Sequence, residues 1–320
     1  MLKIPEEINQ LCDHCLGRTY ASFGHGLTNE DRGKAIRIIY SMNENLNYNE
    51  ILPRSCIVCN NLFNNIDKFV SIIINEIKDY EFNTFLIGSR VDFEIESKDR
   101  ELNEKYGKNG ETIKNELDRE IGKRVSEKLR KEVSFENPDL SIIFDSEYEY
   151  VELFPKPVFI YGRYKKLERG IPQTRWIHGN EGKSIEEYIG EIAIKYFEGN
   201  NYFFHGSGRE DVDVLMLGNG RPFVLEIRKP KKRYADLKKL ENEINSSAMK
   251  KIEVFELRYS NRDELKKIKE KTGKKTYRLC IELEKDIEIE TLKEKLKNLE
   301  EKVIYQRTPL RVLSRKSDIQ

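Results

Sequence analysis

The chain has 320 residues, enough for two or three domains and a sizeable core. Charged residues make up 35% of it and the formal net charge is +1, so overall charge does not by itself mark a nucleic-acid binder. No stretch approaches the roughly eighteen apolar residues of a membrane span, and the N-terminal MLKIPEEINQLCDHC lacks the apolar core of a secretion signal; the default is a soluble cytoplasmic protein.

Four of the five cysteines form a pattern. Cys12 and Cys15 make one CxxC, and Cys56 and Cys59 make a second. Each pair lets two thiolates approach one metal from a tight turn, and two such turns complete a tetrahedral sulfur site. Zinc suits that site because it accepts thiolates and needs no open position in a structural role. The competing readings are two disulfides, disfavoured in a reducing compartment, or four unrelated thiols. His14 lies inside the first CxxC but is not expected to replace a cysteine. Residues 1–62 are therefore read as a zinc module, with helical periodicity in GKAIRIIYSM.

Next comes an α/β unit, residues 63–165. It opens with an apolar helix over Ile66–Ile77, in which Val70, Ile73 and Ile77 recur three and four apart. The strand FNTFLIGSRV, a largely solvated helical stretch from Glu94 to Lys131, and the strands LSIIFD and PVFIYGRY follow. The segment from Tyr161 to Trp176, YGRYKKLERGIPQTRW, mixes five Lys/Arg with three aromatic residues. Rings among cations suit bases and phosphates, and they also suit a linker packed against its neighbours.

The third region, residues 166–320, contains a helix with Ser184 as N-cap and Glu187 three residues on, a capping box. The string GREDVDVLMLGNGRPFVLEIRKP, Gly208 to Pro230, reads as a hairpin around Gly-Asn-Gly-Arg-Pro. A basic helix near Tyr234 to Ile244, the strand IEVFELRY, a helix capped by Ser260 and the strand TYRLCIEL come next, with Cys280 expected as a core thiol. The helix TLKEKLKNLEEK and the segment VIYQRTPLRVL close the chain. From Arg228 to Lys275 there are 17 Lys/Arg against 8 Asp/Glu, a local balance of +9. Such a run is either a set of solvated helix faces or a phosphate-facing surface. The expected fold class is α+β and multi-domain, ending in a mostly antiparallel sheet covered by helices.

The carboxylates of GREDVD admit three readings. They form a charged surface turn, or, with Glu226 and Arg228 after Asp213, a Mg2+-dependent nuclease site, although an arginine cannot act as the neutral base there. In the third, Gly208-Arg209-Glu210-Asp211 resembles the Gly-Arg-x-Asp signature of pseudouridine synthases. The longer string is similar to that of the archaeal and eukaryotic tRNA pseudouridine synthases of the TΨC arm, which in archaea modify the uridines at tRNA positions fifty-four and fifty-five. The resemblance extends to the double CxxC, to a THUMP RNA-binding domain at about residues 63–165, and to Tyr161–Tyr164 and Arg169–Trp176.

That resemblance implies an isomerase that needs no catalytic cofactor, has a structural zinc and takes tRNA at its elbow, with no membrane and no obligate protein partner. Its catalytic residues would be Asp211, Arg209 and Tyr277, the last also stacking on the uracil. Arg163, Tyr164, Arg169 and Arg175 would join Tyr277 in binding substrate. Asp213 is read as structural, and Glu210 fills the variable position. Members of the family continue past the segment like RTPLRVLSRK, so the catalytic domain is expected to be incomplete at its C-terminus. A non-catalytic tRNA-binding protein or folding chaperone is the other alternative.

Overall fold

A computed structural model describes residues 4–107, 110–175, 182–270 and 276–297. The chain divides into two units, 1–272 and 273–320, each taken by itself below. No helix among the described residues is long and apolar enough to cross a membrane.

The first unit starts with α1 (Asp13–Arg18) and α2 (Asn29–Asn43). These helices touch backbone to backbone at two glycines. A Cβ on Gly17 would lie 1.7 Å from the Asn29 carbonyl oxygen, and one on Gly33 would lie 2.0 Å from that of Asp13. Helix α3 (Ile66–Ile77) spans the residues its periodicity predicts and buries Val70, Ile73 and Ile77. The charged stretch after it is two helices, α4 (Phe93–Tyr106) and α5 (Ile113–Leu129), rather than one. Asp92 caps α4 and Thr112 caps α5, so the second start signal lies inside the presumed helix.

The first sheet has the order β2-β1-β3-β4, formed by β1 (Thr84–Arg90), β2 (Glu132–Val133), β3 (Leu140–Asp145) and β4 (Tyr150–Pro155). Strand β1 runs parallel to β2 and β3, and β4 returns antiparallel. One continuous core runs from Ile8, Leu11 and Leu16 of the cysteine segment through Phe69 and Leu117 to Phe144. The N-terminal cysteine segment therefore shares its core with the α/β layer.

The second sheet is antiparallel, in the order β6-β7-β5-β8. Its strands are β5 (Val158–Lys166), β6 (Asn201–Gly206), β7 (Met216–Arg228) and β8 (Ile252–Ser260). Strand β5, expected as a third strand of the α/β unit, is central here instead. Its alternating burial satisfies either sheet, and the long partners β7 and β8 supply the hydrogen bonds. Helices α6 (Ile185–Phe197) and α7 (Leu237–Ser247) cover one face, and α8 (Arg262–Glu270) packs Leu265 and Ile268 on Val224 of the other. The capping box of Ser184 and Glu187 is present at α6. Asn261, not Ser260, accepts the first N–H groups of α8.

The expected hairpin is absent. Strand β7 runs straight through Gly-Asn-Gly-Arg-Pro, and the register against β5 jumps from Tyr164↔Arg221 to Lys166↔Met216. Gly218 (φ +61°) and Gly220 (φ +66°) form a wide bulge, using the left-handed backbone that suggested a turn without reversing the chain. Residues 212 and 213 form a turn, so Asp213 is exposed on a loop and does not alternate along a strand.

In the second unit α9 spans Ile289–Lys297. Residues 276–283, expected as a strand, have no ladder partner among the described residues, and both Tyr277 and Cys280 are exposed. The alternation of TYRLCIEL alone does not make a strand, because a strand needs a neighbour to bond. Trp176 and residues 298–320 lie outside the described residues.

Gly17→Ala is expected to force α1 from α2 and to destabilise the N-terminal layer by about 1–3 kcal/mol, the usual range for overpacking. Urea titration followed by far-UV circular dichroism checks this; an unchanged midpoint would show that the helices part without strain.

Candidate functional site

The cysteine cluster is built from two chain segments that the protein itself draws together. Cys12 is the N-cap of α1, and its sulfur accepts from the Cys15 amide at 3.5 Å. Arg37 of α2 is fully buried and donates to the carbonyls of Ile8, Leu11 and Ile51, clamping the chain just before each CxxC. The sulfurs of Cys12, Cys15, Cys56 and Cys59 all lie within 4.8 Å of one another. Metal–sulfur bonds of about 2.3 Å in a tetrahedron require sulfurs slightly under 4 Å apart, so the four donors fit one ion. Burial pushes the Cys15 thiol up, and a cation among the sulfurs would reverse that. Among the described residues this is the one group of three or more His, Cys, Asp or Glu donors that converges on a point.

His14 is not part of it. Its Nδ1 lies 2.8 Å from Glu116 Oε1, and its ring stacks on Phe63 with centroids 4.3 Å apart. Beside it, fully buried Arg18 donates to Cys15 Sγ at 3.3 Å, to Asp99 at 2.6 Å and to Glu116 at 2.8 Å. Asp99 also accepts from the Ile113 amide at 2.9 Å. Arg18 thereby joins the cysteine segment to α4 and α5.

The Gly-Arg-x-Asp loop leaves the end of β6 and lies against β5. Asp211 and Arg209 are exposed; Glu210 is buried. Glu210 reaches inward, where the Tyr164 hydroxyl lies 2.9 and 2.8 Å from its two oxygens. Arg221 Nε lies 2.8 Å from Glu210 Oε2, a charge contact at an angle outside hydrogen-bond geometry. Gln173 donates to the Tyr164 hydroxyl at 2.8 Å and to the Gly208 carbonyl at 3.0 Å. Burial and the nearby Glu210 charge push the Tyr164 phenol well up, so it stays a donor. Arg221 donates to the Ser207 carbonyl at 2.7 Å. Lys166 donates to the carbonyls of Asp211 and Val212 at 2.8 and 3.1 Å.

The motif's buried carboxylate is Glu210, at the variable position, with Arg221 against it. One expectation is corrected. Tyr164, expected to bind substrate, is fully buried and holds the loop from below. Arg163 is on the opposite face of β5 and donates to the bulge carbonyls of Asn219 and Gly220 at 2.5 and 2.9 Å. Arg169 is exposed, and Arg175 pairs with Glu187 at 3.0 Å. Lys166, Gln173 and Arg221 were missed. The available signal was Lys166 itself, a lysine at an inward position of an apolar strand.

The nuclease reading gains no support from the geometry. Glu226 is occupied by His205 at 3.1 Å and Arg228 at 3.0 Å, and those hydrogen bonds outweigh burial to lower its pKa.

Residues 159–320 match the family model described as "Pus10, C-terminal", and residues 69–145 match "Pus10 THUMP domain, archaeal". These matches put the chain among the THUMP-containing pseudouridine synthases. The tRNA pseudouridine synthase Pus10 of Pyrococcus furiosus is 43% identical over 314 residues, covering 98% of this chain and 79% of that protein. That of Thermoplasma acidophilum is 38% identical over 321 residues, covering 100% of this chain and 82% of that protein. The chain belongs to the Pus10 family.

Arg18→Met is expected to leave Asp99 and Glu116 buried without their cation and to cost about 3–5 kcal/mol, as for other broken buried pairs. A denaturation midpoint equal to that of the unmutated protein would refute the bridging role.

Proposed function

We propose that this protein is a tRNA pseudouridine synthase that converts uridine to pseudouridine at the two adjacent TΨC-loop positions, and that Asp211 is its catalytic carboxylate. Family membership supports the reaction class. The observation that carries the residue assignment is the pinned loop, which turns Glu210 inward and leaves Asp211 exposed at the surface. An ionised carboxylate there faces the ribose of a nucleotide taken out of its stack, which costs least where pairing is already loose. The bond from N1 to C1′ breaks, the uracil turns while held, C5 bonds to C1′, and the C5 proton is lost as N1 takes one up. Arg209 supports the charge on Asp211 and the extruded nucleotide, and Tyr277 stacks on the uracil. Arg163, Arg169 and Arg175 contribute positive charge for the tRNA backbone, contacts that position without specifying. The choice of RNA comes from the shape of the elbow, and the enzyme works in the cytoplasm.

In this reading the four cysteines hold one structural zinc ion, which supplies folding energy rather than reactivity. Elemental analysis of unchelated protein is expected to give about one zinc per chain. Stripping it is expected to loosen α1, α2 and the α4–α5 layer together, because Arg18 links α1 to α4 and α5 and Arg37 links it to α2. Protein prepared without chelator and free of metal would end the zinc assignment.

The direct test of the reaction incubates an unmodified tRNA transcript with the protein without added metal, then maps pseudouridine by carbodiimide labelling and primer-extension stops. Stops are expected in the TΨC loop. Asp211→Asn is expected to abolish them while tRNA affinity stays nearly unchanged, since the carboxylate serves chemistry and not binding. Stops that persist in Asp211→Asn would move the catalytic role elsewhere.

A further inference from the structure

Under the Gly-Arg-x-Asp loop lies a buried cation for which apolar packing gives no reason. Lys166 is the last residue of β5, at an inward position, and is fully buried. An ammonium taken out of water is costly unless its donors are satisfied. Here Nζ lies 3.2 Å from the carbonyl oxygen of Ile171, 2.8 Å from that of Asp211 and 3.1 Å from that of Val212. All three acceptors are backbone. The lysine therefore fixes chain geometry, and two of the carbonyls it fixes belong to Asp211 and the residue after it. The Gly170 amide reinforces this by donating to the same Val212 carbonyl at 2.9 Å. Burial lowers the pKa of Lys166, and the charges of Glu210, Asp213 and Asp211 oppose that.

The residue before Asp211 is held just as firmly. Glu210 is drawn inward by Tyr164 and Arg221, and Tyr164 stands two residues before Lys166 on the same face of β5. Three consecutive loop residues are thus anchored: 210 by its side chain, 211 and 212 by their carbonyls.

We propose that Lys166 is a positioning residue for Asp211, with Glu210 as the second point of the same clamp. The inference rests on the reading of Asp211 as the catalytic carboxylate. Without the ammonium, the donor that ties the Ile171, Asp211 and Val212 carbonyls to one point is gone; the Val214 and Gly170 amides still serve the last two separately, and the loop is free to shift as the three oxygens separate or hydrate. A displacement of about 1 Å in a reacting group costs on the order of a hundredfold in rate.

The test uses the full chain, the unmodified tRNA transcript and single-turnover conditions, with Lys166→Met, Glu210→Gln and Asp211→Asn compared in parallel. Methionine keeps the length of the lysine stem and removes the donors. The expected result is a rate reduced by about ten- to a hundredfold in Lys166→Met, with the tRNA dissociation constant and the turnover amplitude per folded molecule unchanged. A purely structural lysine would lower the amplitude or the melting temperature and leave the rate of the folded fraction intact, and that outcome overturns the proposal. So does a loss that resides wholly in weaker tRNA binding. If Lys166→Met does not fold, Glu210→Gln, which keeps the side-chain shape, carries the test: a lowered rate with intact binding supports the clamp, and a rate equal to that of the unmutated protein refutes it. Turnover by Asp211→Asn would bring down the catalytic reading itself, whereas an inactive Asp211→Asn beside a fully active Lys166→Met would bring down only the clamp.

Discussion

The alternation of side chains along β5 is the constraint on which the second sheet and its loop depend. Val158, Ile160, Gly162, Tyr164 and Lys166 all point to the helix-covered face. The first two are ordinary core. Gly162 is small because Phe223 and Leu257 close over it, and a Cβ would come within 2.7 and 2.5 Å of them. The last two are polar groups in an apolar row, and burial obliges each to find a partner. The chain that comes within their reach is the stretch after β6. Core polarity therefore decides where the loop lies, and the loop decides which carboxylate turns inward. With Glu210 occupied below, its neighbour Asp211 is left on the outer surface.

The same logic, buried donors meeting backbone and carboxylate acceptors, holds the N-terminal layer. Arg37 gathers the two cysteine-bearing segments through the carbonyls of Ile8, Leu11 and Ile51, and Arg18 ties the result to α4 and α5 through Asp99 and Glu116. Buried ion pairs are weak evidence for stability, because desolvation consumes much of the Coulombic gain. Their effect here is registry. A planar guanidinium has one orientation that satisfies a fixed set of acceptors, so each arginine selects a single placement of the segments around it. The four sulfurs are brought within reach of one ion by that placement.

Much of this was legible in the sequence wherever local chemistry decides. Helix α3 occupies Ile66–Ile77 because its apolar period has one solution, and α6 begins after Ser184 because the hydroxyl and Glu187 satisfy each other's amides. The CxxC pairs announced the cysteine cluster. The features that escaped depend on partners distant in sequence. Gly218 and Gly220 have the left-handed backbone of a turn, yet β5 runs alongside and Arg163 binds the bulge carbonyls, so the strand continues. The alternation of PVFIYGRY fits either sheet, and the longer ladders available from β7 and β8 decide. In GRED the motif distinguishes Asp211 from Glu210 but gives no sign that Glu210 is the buried one. That fact requires Tyr164, Gln173 and Arg221, which lie 46, 37 and 11 residues away in the chain.

The basic run after Arg228 illustrates how tertiary contacts redistribute a charge count. Part of that run is a joint between the two sheets. The Glu81 amide donates to the Lys231 carbonyl at 2.7 Å and the Glu81 carboxylate accepts from the Arg233 amide at 2.8 Å; Arg233 itself donates to the Lys156 carbonyl at 2.7 Å and lies 3.5 Å from Asp139. Asn83 reaches the Tyr234 hydroxyl at 2.8 Å. Further along, Arg258 pairs with Glu264 and Lys251 with Glu168. A cation matched to a carboxylate within the fold adds little to the long-range field that draws a polyanion, and screening removes most of what remains beyond about 10 Å. The local balance of +9 along the sequence therefore overstates the charge this region presents to an RNA backbone. Some of those residues act as fasteners: Lys231 and Arg233 hold the first layer to the second.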